Sequence, residues 1–152
     1  MKIRVFSRVE AEKFEPPPKT YHAWISITTP GDELANLRCR RPWDLGVRRL
    51  QFHDIDSTER GIVDSHGNTC TAPDHFDARE IYAFVLWNSH ALEHGELYIH
   101  CDAGKSRSAG VAAAIAKIYN GTDEEFFKDP YCPNRLIYNL ILEIHKTQGN
   151  AL

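Results

Sequence analysis

The stretch "SAGVAAAIAKIY", Ser108 to Tyr119, constrains this chain more than any other. It is rich in alanine and apolar nearly all round, so as a helix it has no solvent face and must lie buried. Just before it comes "LYIH", a short apolar run that reads as a strand, and the turn between them holds Cys101, Gly104 and Arg107. A buried helix fed by such a strand calls for a layered fold. The rest of the chain supplies the layers. "KIRVF" alternates Ile3 and Val5 and reads as a strand. "HAWISIT" is another, and "GVRRLQF", with Val47, Leu50 and Phe52 as its apolar members, is a third. Ile81, Phe84, Val85, Asn88 and Leu92 follow helical spacing, and Leu136, Ile137, Leu140, Ile141 and Ile144 form one helical stripe. Strands alternating with helices predict an α/β fold, a central mostly parallel sheet flanked by helices, in a single domain over residues 1–152.

The punctuation between these segments agrees. Ser7 and Glu10 have capping-box spacing, so a helix is expected after the first strand. Pro16 to Pro18 mark an extended loop. "TPGDE" stops the second strand and can also cap a short helix. Asp74 or Asp77 caps the helix that carries Ile81, Asn120-Gly121 stops the alanine-rich helix, and the last helix is expected to start near Pro133. From Asp54 to Asp74 periodicity disappears and turn formers dominate. A loop of roughly 20 residues without structure of its own is uncommon and often functional.

Composition narrows the function. Hydrophobic residues make up 42% and charged residues 26% of the 152, an ordinary globular mix. The net charge of -3 points to neither nucleic acid nor an anionic membrane, and the basic cluster from Arg38 to Arg49 reads as a solvated face. No apolar run approaches the ~18 residues of a membrane span. The start "MKIRVFSRVEAEKF" is too charged for a signal peptide. Cys39, Cys70, Cys101 and Cys132 form no CxxC pair and no zinc spacing, so a reducing cytoplasm with free thiols is expected. His53, His66 and His75 with Cys70 match no standard zinc site either, and no metal or other cofactor is expected.

Chemistry concentrates in "HCDAGKSRS", His100 to Ser108, at a strand-to-helix turn, where α/β proteins bind ligands. Unpaired backbone N–H groups at a turn and helix start make an anion cradle. Gly104 lets the backbone curl tightly, and the planar fork of Arg107 can hold two phosphate oxygens. Such a cradle depresses a thiol into the ~3.5–7.5 range, which makes Cys101 a thiolate nucleophile under a bound phosphate. "GKS" at Gly104 to Ser106 also occurs in nucleotide-binding Walker loops, but that motif needs a glycine where Ile99 stands.

His100-Cys101, five residues, Arg107 and Ser108 resemble the HCx5R[S/T] signature of protein tyrosine phosphatases. The short chain and the "AGKSRS" style are similar to the compact dual-specificity branch, and "PNRL" at Pro133 to Leu136 resembles the closing helix of small bacterial and phage-type members. The resemblance runs in outline from about Ile25 to Ile144. It implies a phosphatase fold and a phosphomonoester hydrolase working through a phosphocysteine on Cys101. It further implies that Asp102, Ala103, Gly104, Lys105, Ser106 and Arg107 form the phosphate-binding loop. His100 would hydrogen-bond the loop backbone and help stabilise the thiolate, and Ser108 would stabilise the thiolate as it leaves. The loop and arginine supply the charge stabilisation that a metal would otherwise give. The expected substrate is a phosphorylated protein or peptide. Phosphoinositides, RNA 5′ ends, or phosphate recognition without catalysis are the alternatives, and the oligomeric state is left open. Lys105 adds a cation to the loop but Asp102 adds an anion, which disfavours a polyanionic lipid head group.

The resemblance also implies a general acid, an aspartate on a loop after a core strand. The "F-x-D" form at the strand end ranks Asp54 first and Asp56 second. Asp64, Asp74 and Asp77 lie closer to the usual spacing, but Asp74 and Asp77 are better explained as helix caps. Asp64 has no strand just before it. Thiolate and protonated acid together predict an activity peak on the acidic side of neutral. Cys39, Cys70 and Cys132 read as structural or exposed thiols; spacing does not say whether one of them can pair with Cys101.

Overall fold

The structure, a computed structural model, describes residues 1–149; the last three residues of the expected 1–152 domain lie outside the described residues. Its strands are β1 (Lys2–Phe6), β2 (His22–Thr28), β3 (Asp44–Gln51) and β4 (Glu96–His100). Its helices are α1 (Arg8–Lys13), α2 (His75–Leu92), α3 (Arg107–Asn120) and α4 (Arg135–Gly149), with a 3₁₀ turn at Glu124–Phe127 that the sequence pattern did not suggest. The sheet order is β1-β4-β2-β3 and every pairing is parallel. Expected "mostly parallel", the sheet is wholly so.

Alternation along β2 and β4 sorts side chains to two faces. Ala23, Ile25, Ile27, Leu97 and Ile99 join the larger core, with Val111 to Ala116 of α3, Ile81 and Val85 of α2, and Ile137 and Ile141 of α4. Trp24 and Tyr98 face the other way, into a smaller cluster with Phe6 and Ala11, and Phe14 packs against it. Its rings meet at tilted and edge-on angles, Trp24 and Tyr98 at 4.9 Å between centroids. Helix α3 is therefore buried over most of its length, as its composition demands: Arg107 through Ala116 are all buried, and only its last turn reaches solvent.

The caps follow the sequence. Ser7 and Glu10 form the expected capping box on α1, and Asp74 and Asp77 form one on α2. Burial beside Asp74 pushes the Asp77 carboxyl up to about 6. Gly121 ends α3 in the left-handed region, φ 78°. One expectation fails. "TPGDE" forms a turn, in which Asp32 N–H donates to Thr29 O, and no helix follows. Asp32, Glu33 and Leu34 are exposed, and Ala35 and Leu37 are packed from an extended segment, so the capping signal alone did not nucleate a helix.

A parallel sheet points all its strand ends the same way. Ser7 after β1, Thr29 after β2, Phe52 to Asp54 after β3, and Cys101 after β4 thus line one edge of the sheet. None of the described helices is long and apolar enough to cross a membrane.

Candidate active site

Cys101 sits where β4 ends, and it is 2% exposed. Two groups converge on its sulfur. The Ser108 hydroxyl lies 3.0 Å from Sγ, and the Gly104 N–H donates to it at 3.3 Å. Ser108 itself is wholly buried in the first turn of α3. Gly104 holds φ 70°, and a Cβ there would stand 2.6 Å from Phe6 C and from Ser7 N. The loop curls back on the end of β1 so closely that only glycine fits.

Backbone bonds fix the rest of this loop. Arg8 N–H donates to Asp102 O, Cys132 N–H to Lys105 O, and Asn134 N–H to Ser106 O. Two separate segments, the start of α1 and the loop before α4, thus hold the five residues between Cys101 and Arg107. Ala103 and Lys105 are exposed at the rim.

Arg107 is 7% exposed, and its guanidinium is braced from behind. Nη1 donates to Thr29 Oγ1 at 3.0 Å and to Phe52 O at 2.9 Å, while Nη2 donates to Asp102 Oδ2 at 2.9 Å. Thr29 donates its own hydroxyl to the same Asp102 oxygen at 2.8 Å. These bonds use three of the five guanidinium N–H groups, which leaves two, the number a bidentate grip on phosphate requires. Burial works to raise the Asp102 carboxyl, but the Thr29 hydroxyl and the Arg107 charge outweigh it and hold its pKa below the usual value. Asp102 is thus an ionised brace for Arg107, and only its backbone is available as a cradle group.

His100 is fully buried on the smaller-cluster face. Burial holds its pKa below the ordinary value, so the ring is neutral at pH 7. With one ring hydrogen, the consistent arrangement is Nδ1–H donating to Cys101 O at 3.3 Å and Nε2 accepting from the Ser26 hydroxyl at 2.6 Å. His100 therefore meets the loop backbone, and no hydrogen bond joins its ring to the sulfur.

The two acid candidates separate clearly. Asp54 Oδ1 accepts from the Ser106 hydroxyl at 2.7 Å and from the Asn134 amide at 2.9 Å, so its carboxylate lies against the phosphate loop. Asp56 Oδ1 accepts from Leu136 N–H at 2.8 Å, which makes it a cap on α4. Asp64 accepts from His66 N–H and Asn68 N–H and closes a turn of its own loop. Those bonds, chiefly the one from Asn68, lower its pKa.

His53, His66, His75 and Cys70 do not gather. A different trio does: ligand atoms of His22, Cys39 and Asp44 lie within 4.8 Å of one another. Their chemistry is satisfied among themselves and the backbone. His22 Nδ1 donates to Thr20 O, and Nε2 accepts from Arg40 N–H. Burial and then Asp44 push the Cys39 thiol up to about 11, so it is protonated and bonded to Asp44. All four cysteines are free.

Sequence reasoning missed Ser26, Thr29 and Asn134. Ser26 is readable only from the pairing that sets it beside His100. Asn134 carried one signal, its position just before an amphipathic helix.

No family model matches the chain, and no curated protein matches it. Solved structures do. The human tyrosine phosphatase-like serine/threonine/tyrosine-interacting protein is similar at 15% identity and a TM-score of 0.60, over 96% of this chain and 92% of that one. The chain has a tyrosine phosphatase-like fold. PTPMT1 is similar too, at 18% identity and a TM-score of 0.51 over 99% of this chain and 94% of that one. In its complex with PI(5)P the figures are 17%, 0.50, 99% and 95%. At such identities the likeness is one of backbone path.

Proposed function

We propose that the protein is a phosphomonoester hydrolase of the cysteine-dependent protein tyrosine phosphatase superfamily, acting on a phosphorylated protein or peptide. One observation carries this reading: the buried Cys101 sulfur, contacted by Ser108 Oγ and Gly104 N–H, beneath a loop whose arginine is braced with two N–H groups to spare.

In the first step the Cys101 thiolate attacks phosphorus. The S–P bond forms and the bond from phosphorus to the leaving oxygen breaks. That oxygen takes a proton from Asp54. In the second step water attacks the phosphocysteine, gives a proton to the Asp54 carboxylate, and the thiolate departs toward the Ser108 hydroxyl. Arg107 and the loop amides hold the phosphoryl oxygens throughout, where developing charge is greatest. Asp54 Oδ1 already accepts two hydrogen bonds, so the transferred proton resides on Oδ2. The reading favours a phosphate monoester with little further charge, because the Asp102 carboxylate lies beside Arg107.

The test is hydrolysis of p-nitrophenyl phosphate in reducing, chelator-containing buffer, with vanadate as competitor and Cys101→Ser as control. Turnover that vanadate competes away and Cys101→Ser abolishes supports the reading. A Cys101→Ser protein as active as the parent sinks the covalent mechanism. Vanadate binding without turnover would point to phosphate recognition alone.

A further inference from the structure

Asn134 stands at a junction of three elements. It is 1% exposed, and both ends of its side chain are engaged. Its amide donates to Asp54 Oδ1 at 2.9 Å and to Ile55 O at 3.0 Å. Its side-chain carbonyl accepts from Ile137 N–H at 3.0 Å and caps α4. Its backbone N–H donates to Ser106 O at 2.9 Å. Capping needs the carbonyl alone. The two amide hydrogens serve a different purpose: one grips the carboxylate and the other the backbone just after it, which fixes both the side chain and its point of attachment.

The fold is shaped to admit this residue. A Cβ on Gly110 would stand 2.4 Å from Asn134 O and 3.1 Å from Asn134 N. Helix α3 thus has no side chain where Asn134 crosses it. The phosphate loop and the acid loop are far apart in sequence, and Asn134 bonds to both. Ser106 adds a direct link, because its hydroxyl goes to Asp54 and makes no cap bond on α3.

We propose that Asn134 is a positioning residue for the general acid, setting Asp54 against the phosphate loop so that Oδ2 faces the leaving oxygen. The inference rests on the phosphatase reading above. It predicts a specific signature. A leaving group that departs as a stable anion needs little help from the acid, whereas a poor one depends on it. Losing the amide should therefore matter in proportion to how poor the leaving group is.

The experiment compares the parent with Asn134→Ser on p-nitrophenyl phosphate and on phenyl phosphate, with the rate of Cys101 alkylation by iodoacetamide measured alongside. Serine caps helices about as well as asparagine but is too short to span to Asp54. The expected result is a loss of roughly 10- to 100-fold in kcat/KM on phenyl phosphate, the scale of a misplaced catalytic group. The loss on p-nitrophenyl phosphate should be several-fold smaller and the alkylation rate unchanged. If Asn134→Ser does not fold, Asn134→Asp keeps the size and the cap and lacks the amide hydrogens, and the same split is expected. Equal losses on both esters, or no loss, would overturn the proposal and leave Asn134 a cap. A parent that hydrolyses neither ester overturns the phosphatase reading and this inference with it; a parent active on both isolates the question to Asn134.

Discussion

Two loops meet at the site, and they are held in opposite ways. The phosphate loop, residues 102–106, is fastened through its backbone: Asp102 O, Lys105 O and Ser106 O all accept from N–H groups of other segments. It is also filled to contact, since not even a methyl fits at Gly104. The acid loop, residues 53–73, has backbone bonds within itself, such as His53 N–H to Thr71 O and Cys70 N–H to Ile62 O, but it is fastened to the rest of the site through side chains. Asn134 holds Asp54 and the Ile55 carbonyl, and Asp64 closes a turn at His66 and Asn68. Its residues 57–61 are exposed, and a groove of about 400 Å³ opens beside it, lined by Ile55, Arg60, Ile62, His75 and Leu140. A loop held by backbone bonds keeps its shape whatever side chains it carries. A loop held by side chains can be shifted one residue at a time. Under the proposed function, the first suits an invariant ligand such as phosphate and the second a leaving group that varies.

That contrast can be broken at several points. Cys101→Ser should cost roughly 10⁴- to 10⁶-fold in turnover, as loss of a nucleophile does elsewhere, with melting temperature nearly unchanged. Gly104→Ala should lose more than about 1 kcal/mol of stability, because alanine is strained at φ 70° and its Cβ meets backbone that cannot yield. Denaturant titration checks it, and parental stability would mean the phosphate loop is looser than described. On the acid loop, Asp54→Asn should lose roughly 10²–10⁴-fold with a poor leaving group. Asp56→Asn should lose at most a few-fold, since its carboxylate caps α4. The reverse order would move the acid to Asp56. Asp102→Asn should raise KM and lower kcat/KM by roughly 10-fold as Arg107 loses its brace. Asp64→Ala, whose carboxylate bonds within its own turn, should leave turnover within about twofold.

The floor of the phosphate loop carries a pH dependence. The folded protein holds His100 below the ordinary value of 6.5 because the ring is buried. As pH falls below 6.5 the unfolded chain takes up a proton that the folded chain refuses. Stability from this residue is therefore present above about 6.5 and declines as pH drops toward the folded value. Melting temperature measured from pH 7.5 to 5 should fall at the acid end, and His100→Asn should flatten that fall. An unchanged slope would show that other groups set it.

How much was legible beforehand differs between these loops for a physical reason. The strand, the turn and the buried helix around Cys101 are contiguous, so local pattern placed Cys101, Gly104, Arg107 and Ser108 together, and the alternating strands and helices set the layered fold. Capping boxes at Ser7 and Asp74 are equally local and were readable as such. Asp54 and Asp56 are two residues apart with the same chemistry and the same strand parity. Only the approach of Ser106 and Asn134 from distant parts of the chain tells them apart. Asp102 likewise reads as a cradle residue in sequence, and its pairing with Arg107 and Thr29 gives it a different task. The sequence by itself determined the elements and the candidate nucleophile, because those follow from periodicity and from neighbours within a turn. The tertiary structure alone separated the proposed acid from the helix cap and revealed the brace, because each depends on hydrogen bonds between distant segments that only the parallel sheet brings side by side.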